Sequence, residues 1–201
     1  MASCCKSNRG PQGLVGPAGP AGPAGTVTAS LATIIPFASG TQTTGLTPAA
    51  PGEDIVEGTL VAFGSNFLAT IVPGSPPTIT LGEGGTNLFT EAFSAPRGGD
   101  ATNLAGNFIY SDTDPLVGDL TVIYQIWHAP AGSNVFTPIG TPLLLTLSAG
   151  DVAGDVAFGS VDPDFTVVSG DQYMLVVTAT TTDVTDDDAA LGLVSAGLAI
   201  A

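Results

Sequence analysis

Few side chains in this sequence could do chemistry, and they fall in three places. Cys4 and Cys5 stand side by side near the front and are the only 2 cysteines in 201 residues. His128, the only histidine, follows Trp127 in an apolar run. Carboxylates gather at Asp112 with Asp114, at Asp162 with Asp164, and in the run Asp186, Asp187, Asp188. Adjacent cysteines rarely bond each other, because disulfide geometry needs Cα atoms further apart than one peptide allows. Each thiol therefore looks to another chain or stays free. With no cysteine after residue 5, this chain cannot bond its own tip to another copy's body. The partners left are the tips of sister copies, the tip of another assembly, or a different cysteine-rich protein; two reduced thiols on a frayed end are the plainer alternative. The aspartates put hard oxygen ligands on turns, which suits calcium, and a cation would relieve repulsion within an acidic body. None of the three groups matches an EF-hand loop, and solvated acidic turns are the commoner explanation. Enzyme chemistry lacks its parts. There is no G-x-S-x-G, no C-x-x-C and no phosphate-cradling loop. One histidine, with both cysteines at the front, forms neither a zinc site nor a Cys/His nucleophile in the body. A histidine satisfied at a strand end is the ordinary reading of His128. The expectation is a protein that is not an enzyme and needs no cofactor.

The element that positions the front residues is a short repeat. Glycine recurs without a break at Gly10, Gly13, Gly16, Gly19, Gly22 and Gly25, and proline follows it in every triplet but Gly13-Leu14-Val15. Only glycine fits at the axis where three polyproline-II-like chains wind together, and proline pre-sets φ for that form. A strict period therefore implies three copies side by side. The stalk is only about 45–50 Å long at ~3.1 Å per residue, so it needs help to hold together. A flexible Gly/Pro linker is the alternative, though linkers rarely keep so clean a period.

Charge is divided along the chain. Lys6 and Arg9 precede every acid, all 18 acids lie between Glu53 and Asp188, and Arg97 is the one base among them; the body carries −17 against +2 in front. Such a body repels nucleic-acid phosphates and anionic lipid, so no nucleic-acid partner is expected. No apolar run is long enough for a membrane-spanning helix, so no membrane insertion is expected. The front, MASCCKSNRG, lacks the apolar core of a secretory signal, which predicts no export by the general route. Charged residues make up 10% of the chain, low for a soluble domain, while Thr, Ala, Gly and Val abound as in β-rich surface proteins.

After the stalk, strand-like runs alternate with turn clusters. Residues 26–38 read as the first strand. Further strands are predicted at Ile55–Phe63, Phe67–Val72, Thr78–Leu81, Asn87–Ala95, Ala101–Tyr110 and Asp119–Ala129, then at Pro142–Leu147, Val152–Val161, Gln172–Thr181 and Ala190–Ile200. PGSPP, GEGG, PRGGD, SDTDP, PAGSN and VDPD between them are turn chemistry. The 16 prolines and 27 glycines leave no span for a long helix. The fold class is all-β, a jelly-roll β-sandwich. The organisation is a cysteine-bearing connector at 1–9, a stalk at 10–25 and a head at 26–201. Two strands are apolar on both faces: Leu120, Val122, Tyr124 and Ile126 alternate with Ile123 and Trp127, and Tyr173, Leu175 and Val177 with Met174 and Val176. A solitary sandwich should be polar outside. A second cover from neighbouring subunits, hence a homotrimeric head, is expected.

Several segments carry a resemblance. Ala32-Thr33-Ile34-Ile35-Pro36-Phe37-Ala38-Ser39-Gly40 resembles the opening of the C-terminal domain of collagen-like exosporium glycoproteins of spore-forming bacteria. Val61-Ala62-Phe63-Gly64-Ser65, Phe93-Ser94-Ala95-Pro96-Arg97, Asn134-Val135-Phe136-Thr137-Pro138 and Ser195-Ala196-Gly197-Leu198 follow in the same order and extend it over most of residues 31–201. The resemblance implies a trimeric head of the tumour-necrosis-factor/C1q-like type, displayed on a spore surface by a collagen-like stalk. Family members usually carry a targeting leader and a long stalk with threonine for glycosylation. Here the stalk is short and lacks threonine, and a tip bearing Cys4 and Cys5 replaces the leader. That short connector resembles the subunits of endospore appendages, made inside the mother cell. The expected function is a structural subunit of a spore-surface fibre whose homotrimers stack head to tail, Lys6 and Arg9 meeting the acidic body and Leu14 and Val15 adding an apolar plug. The alternative is an anchored exosporium protein, or a fibre anchor or tip, with an adhesive or ligand-binding head. A cysteine-rich coat or exosporium protein is a further possible partner.

Overall fold

The computed structural model describes residues 32–82, 91–182 and 190–201. Contacts divide the chain between Ser30 and Leu31, and the fold below belongs to the unit Leu31–Ala201. The glycine period from Gly10 to Gly25, together with Cys4, Cys5, Lys6, Arg9, Leu14, Val15, Asp186, Asp187 and Asp188, lies outside the described residues.

All regular elements among the described residues are strands. They are β1 (Thr33–Ala38), β2 (Thr44–Leu46), β3 (Glu57–Val61), β4 (Asn66–Thr70), β5 (Ile79–Thr80) and β6 (Phe93–Ser94). The longer ones follow as β7 (Gly99–Tyr110), β8 (Leu120–Ala129), β9 (Val135–Leu147), β10 (Val156–Val161), β11 (Phe165–Val167), β12 (Gln172–Thr181) and β13 (Ala190–Ile200). A 6-stranded sheet runs β1-β13-β7-β10, with β11 also on β7 and β2 on β13. A 7-stranded sheet runs β4-β3-β12-β8-β9-β5, with β6 also on β12. The chain crosses between the sheets from β7 to β8, from β9 to β10, and again between β11, β12 and β13, which is the winding of a jelly roll.

The period of two sends one side of each strand inward. Leu104, Phe108, Val194 and Leu198 of the first sheet meet Val122, Tyr124, Leu175 and Val177 of the second in one buried cluster. Small residues make room for rings here. A Cβ on Gly192 would lie 2.1 Å from Cζ of buried Phe108, and one on Gly106 would crowd the Tyr124 ring at 3.2 Å. Replacing Gly192 with alanine therefore forces Phe108 off its site. A loss of about 3 kcal/mol is expected from overpacking, read as an earlier urea midpoint with unchanged slope.

Several boundaries differ from the sequence reading. β9 begins at Val135, not Pro142, and so contains Pro138 and Pro142. A ladder tolerates proline at bulges, and the β8–β9 register shifts between Tyr124 and Ile126. Gln125 offsets the lost pairing by donating from Nε2 to the Ile139 carbonyl at 2.6 Å. The predicted strand Val152–Val161 starts only at Val156, because residues 152–155 turn, with Val152 N–H donating to the Asp155 carboxylate at 2.7 Å. Of Asn87–Ala95, the part from 91 onward keeps only β6. β2 and β11 were not foreseen; each has 3 residues.

The larger correction concerns the doubly apolar strands. Trp127, Met174 and Val176, on the outer face of the 7-stranded sheet, are buried within the chain itself, in a second cluster with Leu60, Ile71, Ile79 and Phe136. The segments around Ile55 and Ile71–Ile79 fold back over that face. They come close because β3 offers Gly58, where a Cβ would lie 2.8 Å from Val176 and 3.0 Å from Ile71. These strands need no neighbouring subunit for their second cover.

Candidate assembly interface

The face left without cover belongs to the other sheet. Pairing brings Ile34 beside Ala199 and Pro36 beside Gly197. Across β13 and β7, Leu193 sits opposite Ile109, Ser195 opposite Asn107, and Gly197 opposite Ala105. β10 adds Val156 beside Ile109 and Phe158 beside Asn107. These residues share the outer side, since their neighbours Phe37, Leu104, Phe108, Ala157, Val194 and Leu198 are buried inward. No acid or base occurs on this surface from Ile34 across to Ser160, in a protein with 18 acids. Charge returns at its margins, at one of which Asp100 accepts from the Thr166 hydroxyl at 3.0 Å.

A sheet face turned to water ordinarily alternates with charged and polar groups. This one presents Phe158 at 80% exposure and Ile34 at 69%, with Val156 and Leu193 also exposed. Its middle is a shallow depression lined by Ala105, Gly106, Asn107, Ser195 and Ala196. Small residues flanked by large apolar ones form a surface on which another backbone can lie close. The Asn and Ser side chains there add hydrogen-bonding groups without charge.

The two ends of the sandwich differ. The described chain begins at the end where Ala201 exchanges hydrogen bonds with Asp100 and where Arg97 donates to Thr33 at 2.6 Å. Asp162 and Asp164 belong to this end; the Asp162 carboxylate accepts from Asp164 N–H at 3.0 Å, and Asp164 takes φ +50°. Asp112 and Asp114 lie at the opposite end, past β7, together with Asp119, Asp151 and Asp155. There Asp119 accepts from Ala149 N–H at 2.9 Å and Asp151 from Ser148 N–H at 2.9 Å. These carboxylates tie down turns. The structure thus separates the two aspartate pairs, and among the described residues no three acid, histidine or cysteine groups gather as metal ligands.

His128 and Asp171 form a close side-chain pair. His128 Nε2 lies 2.8 Å from Asp171 Oδ2, and Asp171 Oδ1 accepts from Ala131 N–H at 3.0 Å. The imidazole packs on Tyr173, 5.1 Å between centroids, and Tyr173 stacks in turn on Phe93 and Phe165. The His128 hydrogen bond, then that from Ala131, hold the Asp171 carboxyl below the usual carboxylate range. A carboxyl held low contributes stability above its unfolded value, about pH 4, and loses it as pH falls through the lower folded value. Wild-type protein should melt above an Asp171→Asn variant at neutral pH, and the gap should close below about pH 4 in thermal scans across that window. Burial pushes the Tyr124 hydroxyl above the ordinary phenolic range, and it donates to the Asn107 carbonyl at 2.8 Å. These groups brace the sandwich.

A second concavity lies on the opposite flank, over the outer face of the 7-stranded sheet. It holds about 280 Å³ among Ile55, Ile71, Pro73, Pro77, Ile123 and Trp127, with Glu53 and Asp54 also on its lining. Sequence reasoning singled out neither surface. The fold joins distant strands to make the first and distant loops to make the second.

The two sheets and their winding define the chain as a jelly-roll β-sandwich. No family model and no curated protein matches it. A solved structure of the Eiger TNF from S. frugiperda aligns with 85% of this chain and 92% of its own, at 11% identity and a TM-score of 0.36.

Proposed function

We propose that the protein is a structural subunit of a spore-surface fibre, in which three heads associate and successive trimers stack head to tail through their N-terminal connectors. The observation that carries the trimer is the charge-free outer face of the 6-stranded sheet, with Phe158 and Ile34 standing in water on a single copy. Its occupant is a second copy of the same face, because the glycine period from Gly10 to Gly25 independently calls for three chains at one axis. A closed threefold ring covers one apolar face per copy and leaves no copy unpartnered.

Stacking is supported by polarity. The head receives the chain at one end and carries Asp112, Asp114, Asp119, Asp151 and Asp155 at the other, while Lys6 and Arg9 sit in front of the stalk. A basic front and an acidic far end make a heterologous contact that repeats without closing. The spore surface rests on the resemblance of residues 31–201 to exosporium collagen-like heads and of the Cys4-Cys5 connector to appendage subunits.

A second reading, an anchored or fibre-tip protein with a ligand-binding head, is favoured by the 280 Å³ concavity on the free flank. Electron microscopy of the purified chain separates the two. Repeating fibres support the first reading; isolated lollipops support the second and overturn the first.

A further inference from the structure

The concavity over the 7-stranded sheet is built from parts that select a guest. Its floor is the outer face of β8 and β12, at Ile123, Gln125, Trp127 and Thr178. Ile55, Ile71 and the prolines Pro73, Pro77 and Pro138 supply apolar walls. Ile71 and Trp127 belong to the second buried cluster, so floor and wall are fixed by the packing beneath them. At about 280 Å³ the hollow falls just below the range of about 300–1,000 Å³ that holds drug-sized ligands, and its guest is correspondingly small. Gln125 commits Nε2 to the Ile139 carbonyl at 2.6 Å and, more loosely, to those of Ile126 and Gly140. What its amide can offer a guest is therefore the Oε1 acceptor.

Glu53 and Asp54 also line the hollow, and no base does. The fold makes no use of their carboxylates. Asp119, Asp151, Asp155 and Asp171 each accept a backbone N–H, and Glu57 and Glu91 each accept a hydroxyl. Among the described residues, the Glu53 and Asp54 side chains have no such partner. Two unspent anionic groups beside an apolar hollow suit an apolar stem that ends in a cation. An alkylammonium has three N–H donors and no acceptor, and the lining offers acceptors in both carboxylates and Gln125 Oε1. The same charges repel carboxylates, phosphates and acidic peptides. We propose that the hollow binds a small aliphatic amine, its stem against Ile55, Ile71 and Trp127 and its ammonium held by Glu53 and Asp54. This deepens the ligand-binding reading of the head, on which it rests, and is independent of fibre formation. The hollow belongs to the sheet opposite the charge-free face, outside the proposed trimer contact.

Trp127 is the only tryptophan in the chain, so its emission reports on the hollow without a label. The full-length protein is titrated at neutral pH with n-hexylamine, 1-hexanol and hexanoate, which share a stem and differ in charge, and calorimetry on the same samples guards against a silent probe. Hexylamine should bind about tenfold tighter than hexanol, and hexanoate more weakly than either. Glu53→Gln with Asp54→Asn should bring hexylamine down to the level of hexanol. Both residues are exposed, so the thermal melt should not move. Asp114→Asn with Asp164→Asn removes the same charge away from the hollow and should leave hexylamine binding as it was. Equal binding of hexanol and hexylamine would overturn the proposal and leave an apolar ligand site standing. So would a loss of amine binding as large in the distant pair of variants, which would mark general attraction to an acidic body. A lysine-bearing peptide that binds tenfold tighter than hexylamine would overturn the small-molecule guest in favour of a protein one. No binding by any of the three hexyl probes would overturn the proposal and leave the ligand-binding reading without its support.

Discussion

Replacing Phe158 with aspartate is expected to turn the trimer into single, folded copies. The side chain is 80% exposed in one copy, so its removal takes almost nothing from the fold; surface changes of this kind stay within about 0.5 kcal/mol. In the proposed trimer the same position faces a second copy. Aspartate there forfeits the burial of an aromatic ring and puts a carboxylate into an interface without any base to pair it. The combined loss is about 3 kcal/mol or more per copy, on the order of a hundredfold in association. Analytical ultracentrifugation reads the result directly, with the thermal melt of the separated copy as the control for folding. A variant that sediments as wild-type trimer would move the interface elsewhere. Ile34→Asp, on the neighbouring edge of the same face, should behave alike.

Removal of residues 1–15 is expected to abolish fibres altogether while leaving soluble trimers. That truncation takes both Lys6 and Arg9, which are two of the three bases in the chain. The remaining bodies each carry a net charge of −17, so trimers meet as like charges with nothing to bridge them. The truncated chain keeps the charge-free face and the later glycine triplets, so the proposed threefold contact should survive. Electron micrographs should contain separate particles in place of filaments, at any salt concentration. Filaments of ordinary length from the truncated chain would exclude docking through the connector and return attention to head-to-head contacts.

Most of the strand framework could be read from the sequence, because the long strands alternate cleanly. β12 and β13 fall where Gln172–Thr181 and Ala190–Ile200 were expected. The exceptions have physical reasons. Pro138 and Pro142 look like breakers, and only the bulge beside Gln125 lets β9 pass through both. β2 and β11 are too short to carry a period and exist because β13 and β7 offer free edges.

The surfaces were harder to see. Apolar residues on both sides of β8 and β12 pointed to cover by a neighbouring subunit, whereas the cover over Trp127 and Val176 comes from other segments of the same chain. The face that does stand open looked ordinary in one dimension: Leu193, Ser195, Gly197 and Ala199 read like a solvated strand. Its signal is the absence of charge across four adjacent strands, which emerges only when β1, β13, β7 and β10 are laid side by side.

The second buried cluster bears on the order in which folding and association occur. Because each copy buries Trp127, Met174 and Val176 under its own segments, this part of the head can reach its final shape without a second copy. In the trimer proposed above, the fold of each head would close first and finished heads would meet afterwards. Association of such heads would then be set by their concentration, by mass action.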